Sequence, residues 1–119
     1  MPNSSTSLEN QIRRGRLAPG MSFAQKVWAI TARSPLGKVI TYADVARSLK
    51  STGYRAVGQA LHRNPYAPGV PCHRVVGSDG RLTGYAHGLP AKRRLLEKEG
   101  ISFNGPRVDL AHCRGTLAR

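Results

Sequence analysis

The run Val70-Pro71-Cys72-His73-Arg74-Val75-Val76 sets a thiol, an imidazole and a guanidinium on consecutive residues. The chemistry open to such a group is nucleophilic. A thiol attacks an electrophilic carbon as its thiolate, and a cysteine with an ordinary pKa of about 8.5 is only a few per cent ionised at neutral pH. A base within reach and nearby positive charge both raise that fraction. His73 is the candidate base and Arg74 the candidate charge. The pair alone also has a plainer reading, because buried cysteine often packs as a small hydrophobe.

The flanking residues say how the group is held. Residues 64–69 contain Pro65 and Pro68 and read as a rigid loop that delivers Val70 onward. Residues 74–76 read as a strand, 78–80 as a turn and 81–83 as the returning strand, which places the cysteine on a hairpin. Neighbouring side chains of extended backbone point to opposite faces. Cys72 and His73 are therefore expected to communicate through a water rather than by direct contact.

Upstream, Ser22 is a candidate N-cap, and Phe23, Ala24, Val27, Trp28 and Ile30 recur at helical spacing to about residue 33, before Pro35 and Gly37. Thr41 and Asp44 have the capping-box form, so a second helix should run from 42 to about 49 and bury Val45, Ala46 and Leu49. Ser51-Thr52-Gly53 is a turn, and residues 54–62 form a third helix with Ala56, Val57, Ala60 and Leu61 inward. Two short helices joined by a tight turn read as helix-turn-helix. Ala56, Gly58 and Ala60 let this helix approach a partner closely, and Arg55 stands at its leading end. Arg55 is the candidate for contact with DNA; its alternative is an ion pair with Asp44 or solvent.

Residues 84–88 are a flexible connector. Pro90 suits the first turn of a last helix and Gly100 its stop, with Leu89, Leu95 and Leu96 inward. Lys92, Arg93 and Arg94 sit near its start, and Glu97 and Glu99 near its end, both against the helix dipole. Charges placed against a local rule suggest another use: DNA for the basic end, a catalytic partner for the acidic one, or simply a solvated face.

Composition bounds the rest. The 119 residues suit one small domain, mainly α with a short β-hairpin, of winged helix-turn-helix type. Nineteen Lys plus Arg against six Asp plus Glu give a net charge of +13, which points to nucleic acid first and an anionic membrane surface second. No apolar run is long enough to cross a bilayer, and the start is polar. The expectation is therefore a chain without leader or anchor in a reducing cytoplasmic (nucleoid-associated) or nuclear setting, with Cys72 and Cys113 as free thiols. The Cys and His spacings match no metal site, and no cofactor is expected. Residues 1–20 are expected to be a mobile basic arm, 21–112 the domain, and 113–119 a frayed tail.

Taken together, Arg55-Ala56-Val57-Gly58, Asn64-Pro65, Pro71-Cys72-His73-Arg74-Val75-Val76, Gly84-Tyr85, Leu95-Leu96 and Glu99-Gly100 resemble the O6-alkylguanine-DNA alkyltransferases over residues 22–112. The resemblance implies a helix-turn-helix in the minor groove of double-stranded DNA carrying O6-alkylguanine. Arg55 would fill the gap left by a flipped nucleotide, with Ala56 and Gly58 beside it on the DNA. Tyr42 would press on the target's phosphate and bond the guanine ring. Cys72 would accept the alkyl group, His73 would act as its base through a water, and Glu99 would orient His73. Asn64 would tie the turn to the site, Tyr85 and Leu61 would wall the pocket, and Val75 and Ala86 would offer backbone contacts to the base. The resemblance further implies single-turnover transfer by a monomer, with other repair factors as possible partners. The loop 66–70 and His87 at the pocket rim depart from many members, and family members often carry an additional N-terminal domain. A non-enzymatic lesion sensor of the alkyltransferase-like kind, which usually lacks the cysteine, and a winged-helix regulator are the competing readings.

Overall fold

Local rules set the first helices. In the computed structural model, which describes residues 4–85 and 87–117, α1 spans Ser4–Arg13 and α2 spans Phe23–Thr31. The Ser22 hydroxyl at the start of α2 accepts from Gln25 N, and the Gln25 side chain accepts from Ser22 N. β1 (Ile40–Thr41) leads directly into α3 (Tyr42–Ser48), where Thr41 and Asp44 make the same reciprocal pair. Each box satisfies two amide donors that a helix start otherwise leaves open. α4 (Tyr54–His62) has no side-chain cap at Gly53. Its inward residues Val57, Ala60 and Leu61 are buried instead, with Val27, Ile30, Val45 and Ala46 of α2 and α3. Burying one such Val or Leu side chain contributes about 1.5–3 kcal/mol against about 1 kcal/mol for a cap. Packing therefore fixes α4, and α3–turn–α4 is the helix-turn-helix expected from the sequence.

The small sheet departs from expectation. β2 (Val75–Val76) does not fold back on residues 81–83. It pairs in parallel with β1, Ile40 against Val75 and Thr41 against Val76. Val75 belongs to the core of the helix-turn-helix, whereas Val76 packs with Val39, Leu96 and Ile101 on the other side. A strand buried on both faces suits an interior parallel partner. The turn itself forms, with Gly77 N donating to Arg81 O at 2.9 Å, but exposed Arg81 bridges to Arg107. The antiparallel hairpin lies after α5 (Leu89–Lys98), as β3 (Phe103–Asn104) against β4 (Arg107–Val108).

Both expected loose ends are packed where described. α1 replaces the mobile arm from Ser4 onward: Ile12 is fully buried with Met21 and Val70. Beyond α6 (Leu110–Cys113), Val39 N donates to Cys113 O and Gly115 N to Val39 O, each at 2.8 Å, which fixes the tail through Gly115. Leu8 and Ile12 alone in a polar stretch give a faint helical signal, and the Val70 they pack with lies far along the chain. Leu89, expected inward, is exposed; the inward position near the start of α5 belongs to Lys92.

Candidate active site and nucleic-acid interface

Cys72 lies on a single 3-10 turn, Cys72–Arg74, rather than on extended backbone. Pro71 starts the turn, Arg74 N donates to Pro71 O at 2.9 Å, and Cys72 N donates to Val70 O at 2.9 Å. The turn separates two neighbours that are both buried. Cys72 packs with Val45, Leu61 and Tyr85, while His73 reaches Glu99 at the end of α5.

Glu99 is the hub of that end. Its Oε2 lies 2.8 Å from His73 Nε2, and Arg74 donates through Nε to Oε1 at 2.9 Å and through Nη2 to Oε2 at 3.1 Å. Arg74 Nη1 also donates to Ser34 O at 2.9 Å, which anchors the guanidinium to the chain after α2. Burial raises the Glu99 carboxyl's pKa, but the Arg74 and His73 hydrogen bonds outweigh it and hold the pKa below the usual carboxylate value. Burial also lowers the His73 pKa, against the opposing pull of Glu99, so the ring is neutral at pH 7. An ionised carboxylate can only accept, so the His73 proton sits on Nε2. That leaves Nδ1 as a lone pair, and it is buried without a hydrogen-bond partner among the described residues. The Glu97 and Glu99 placement now has its cause: Glu99 serves the site, and Glu97 pairs with Arg93.

The thiol has its own surroundings. Asn64 Nδ2 donates to Val70 O and Asn64 Oδ1 accepts from Tyr66 N, each at 2.9 Å, so one side chain closes the loop before Cys72. Burial pushes the Cys72 thiol up, while the Asn64 hydrogen bond and the Lys92 charge pull it back. Lys92 is the residue the sequence reading misplaced. It is fully buried, with Nζ donating to Val75 O at 2.7 Å and to Thr83 O at 2.9 Å and lying 6.0 Å from the Tyr42 ring centroid. Burial lowers its pKa to about 8. The only signal in the sequence was a lysine near a helix start, where the dipole disfavours it. Thr83 O also accepts from the Tyr42 hydroxyl at 2.9 Å, so Tyr42 and Lys92 share one carbonyl. Burial raises the Tyr42 pKa, with the Thr83 hydrogen bond opposing.

Leu61 and Tyr85 are both buried in the cluster that contains Cys72. Tyr85 stands edge-on to exposed His87 at 5.4 Å between centroids. At Val75, expected to offer backbone contacts to a base, the carbonyl accepts from Lys92 Nζ. Ala86 lies outside the described residues.

The outer face of α4 is built differently. Arg55 and Ala56 are exposed and Gly58 is half-buried. Arg55 and Gly58 line an open cleft of about 760 Å³ that also takes in Tyr42, Thr83 and Gly84, whereas Ala56, expected inward, is exposed and off its wall. Tyr42 lines this cleft and also packs on the cluster that holds Cys72; the thiol is not on the cleft wall. The alternative partner for Arg55 is occupied, since Asp44 binds Arg114 at 2.6 Å and Arg47 at 3.2 Å. Each of the other five carboxylates, Glu9, Asp79, Glu97, Glu99 and Asp109, also has a basic neighbour.

A helix-turn-helix with a small-residue α4, together with a Cys72 turn whose His73 and Arg74 both meet Glu99, defines a class of DNA-binding domain, and comparison with known proteins gives the class its family. The family described as 6-O-methylguanine DNA methyltransferase, DNA binding domain, matches residues 22–101, and this chain belongs to it. A Methanosarcina barkeri methylated-DNA–protein-cysteine methyltransferase is 51% identical over 86 residues, covering 71% of this chain and 54% of that protein. A protein of the same name from Mycobacterium tuberculosis is 46% identical over 81 residues, covering 67% of this chain and 49% of its own length. The chain thus spans about half the length of the curated relatives it matches. Among solved structures, M. tuberculosis OGT in complex with DNA superposes with a TM-score of 0.64 at 38% identity, over 80% of this chain and 65% of that one. S. pombe Atl1, in complex with damaged DNA containing O6-carboxymethylguanine, gives 0.67 at 28% identity, over 79% of this chain and 94% of its own.

Proposed function

We propose that this chain repairs O6-alkylguanine in double-stranded DNA by moving the alkyl group onto Cys72 in a single turnover. The observation that carries the reading is the chain Arg74–Glu99–His73, which leaves His73 Nδ1 as an unpaired buried base one residue from a thiol. Displacement at the alkyl carbon requires a soft nucleophile, and the thiolate is one. The target carbon is out of reach in a stacked duplex, so α4 enters the minor groove, the nucleotide turns out, and Arg55 takes its place. The Cys72 proton passes through a water to His73 Nδ1, and Glu99 stabilises the resulting imidazolium through Nε2. Cys72 Sγ then forms a bond to the alkyl carbon as the bond from that carbon to O6 breaks. The electron pair goes to guanine, and Tyr42, kept protonated by its raised pKa, donates a proton to it after turning from Thr83 O. The thioether is stable, so the protein is consumed.

Incubation with duplex containing O6-methylguanine should add one methyl mass to the peptide containing Cys72. An unmodified peptide after excess substrate overturns the transfer reading. The likeness to Atl1 over nearly its whole length supports a second reading, lesion recognition without transfer. Tight binding to the same duplex with no added mass would favour it.

A further inference from the structure

The family match begins at residue 22, yet α1 and the turn after it are packed on the loop that presents Cys72. Ile12 and Val70 are both fully buried in one cluster with Met21, and Leu8 and Tyr66 pack against it. The Arg13 guanidinium lies 5.1 Å from the centroid of the Tyr66 ring, and Glu9 holds its Nε at 2.9 Å. Tyr66 in turn stands edge-on to Trp28, whose Nε1 donates to Ala60 O of α4 at 2.7 Å. The turn is fixed as well: Arg33 Nε donates to Gly15 O at 2.6 Å.

We infer that residues 8–21 are a clamp on the acceptor loop, with Arg13 and Ile12 as positioning residues for the Cys72 thiol. The route is short. Arg13 and Trp28 fix Tyr66, Tyr66 N fixes Asn64, and Asn64 Nδ2 fixes Val70 O, the carbonyl that receives Cys72 N. The inference rests on the reading of Cys72 as acceptor, but it can be tested without transfer.

Four full-length proteins test it: the wild type, Arg13→Ala, Arg13→Lys and Gly69→Ala. A Cβ at Gly69 would lie 2.5 Å from Arg13 Nη1 and 3.1 Å from Tyr66 O, so Gly69→Ala crowds the guanidinium from within the loop itself. Alkylation of Cys72 by iodoacetamide, followed across pH by the mass of its peptide, reports how the thiol is held. Lys92, Tyr42, Tyr85 and His73, which also surround it, are untouched by these changes. An exposed cation–π contact is worth about a two- to fivefold change in such a rate. Arg13→Ala and Gly69→Ala should slow alkylation at pH 7 by about that factor and move the profile to higher pH, and Arg13→Lys should restore it. Transfer from duplex and from the free alkylated base should fall together. A wild-type profile for Arg13→Ala, even with a lower melting temperature, would reduce α1 to packing. A profile shift in a protein that never takes up methyl would keep the clamp and overturn the transfer reading.

Discussion

The His73–Glu99–Arg74 cluster with buried Lys92, and the outer face of α4, follow opposite rules. In the first, polar atoms meet one another: Glu99 takes three hydrogen bonds from two residues, and Lys92 fills two carbonyls. In the second, Arg55 is exposed, and the acid nearest in kind, Asp44, is held by Arg114. A site for chemistry must be organised before its substrate arrives, because reorganisation at the moment of reaction raises the barrier. A site for a polyanion can stay open and solvated, because the phosphates bring the missing charge and release counterions. In the proposed function one fold carries both, because α4 buries Val57, Ala60 and Leu61 beneath the face that presents Arg55.

Four changes test that contrast. The largest effect belongs to Cys72→Ser, which should abolish methyl uptake while leaving the affinity for alkylated duplex near wild type; loss of both would show that the two regions are not separable. Next, Arg55→Ala should slow transfer from duplex by about ten- to a hundredfold, since unstacking a base costs a few kcal/mol, and leave transfer from the free base unchanged. Equal loss on both substrates would remove its gap-filling role.

Glu99→Gln reads the interior alone. It should slow transfer by about tenfold or more, the lower part of the range for a positioned acid–base group. It should also cost about 1.5–3 kcal/mol in stability, because Arg74 and His73 lose a charged acceptor in a largely buried setting. The pH dependence has a fixed sign. The folded-state pKa of Glu99 is depressed, so its contribution is present above the unfolded value of about 4.3 and is lost as pH falls through the folded one. His73 is depressed too, so its contribution is present above about 6.5 and declines as pH falls. Denaturation midpoints should therefore decrease as pH falls from 7, and Glu99→Gln should flatten the part of the curve below about pH 4.3. The smallest effect is local: Thr41→Ala removes the cap of α3 and should cost about 1 kcal/mol without changing which alkyl groups are transferred.

The reactive run was legible because its signals are local. Pro71 before Cys72, the Ser22 cap, the Thr41–Asp44 capping box, the Gly53 turn and the Gly100 stop each act within a few residues, and helix 54–62 and the stop after Glu99 lie where the sequence put them. The misplaced features depend on partners far along the chain. Val75 reads as one side of a hairpin until Ile40 is seen beside it, and residues 8–13 read as an arm until Val70 covers Ile12. Lys92 reads as a surface cation until two carbonyls 17 and 9 residues away remove it from solvent.

The sequence by itself determined the helix-turn-helix, the candidate nucleophile with its candidate base, and the sign of the charge, since these rest on spacing, residue type and composition. The tertiary structure decided which nitrogen of His73 is free, that Lys92 shares a carbonyl with Tyr42, and that α1 sits on the acceptor loop. The physical reason is that hydrogen-bond direction and burial are properties of pairs, and the pairs that matter here are assembled from opposite ends of the chain.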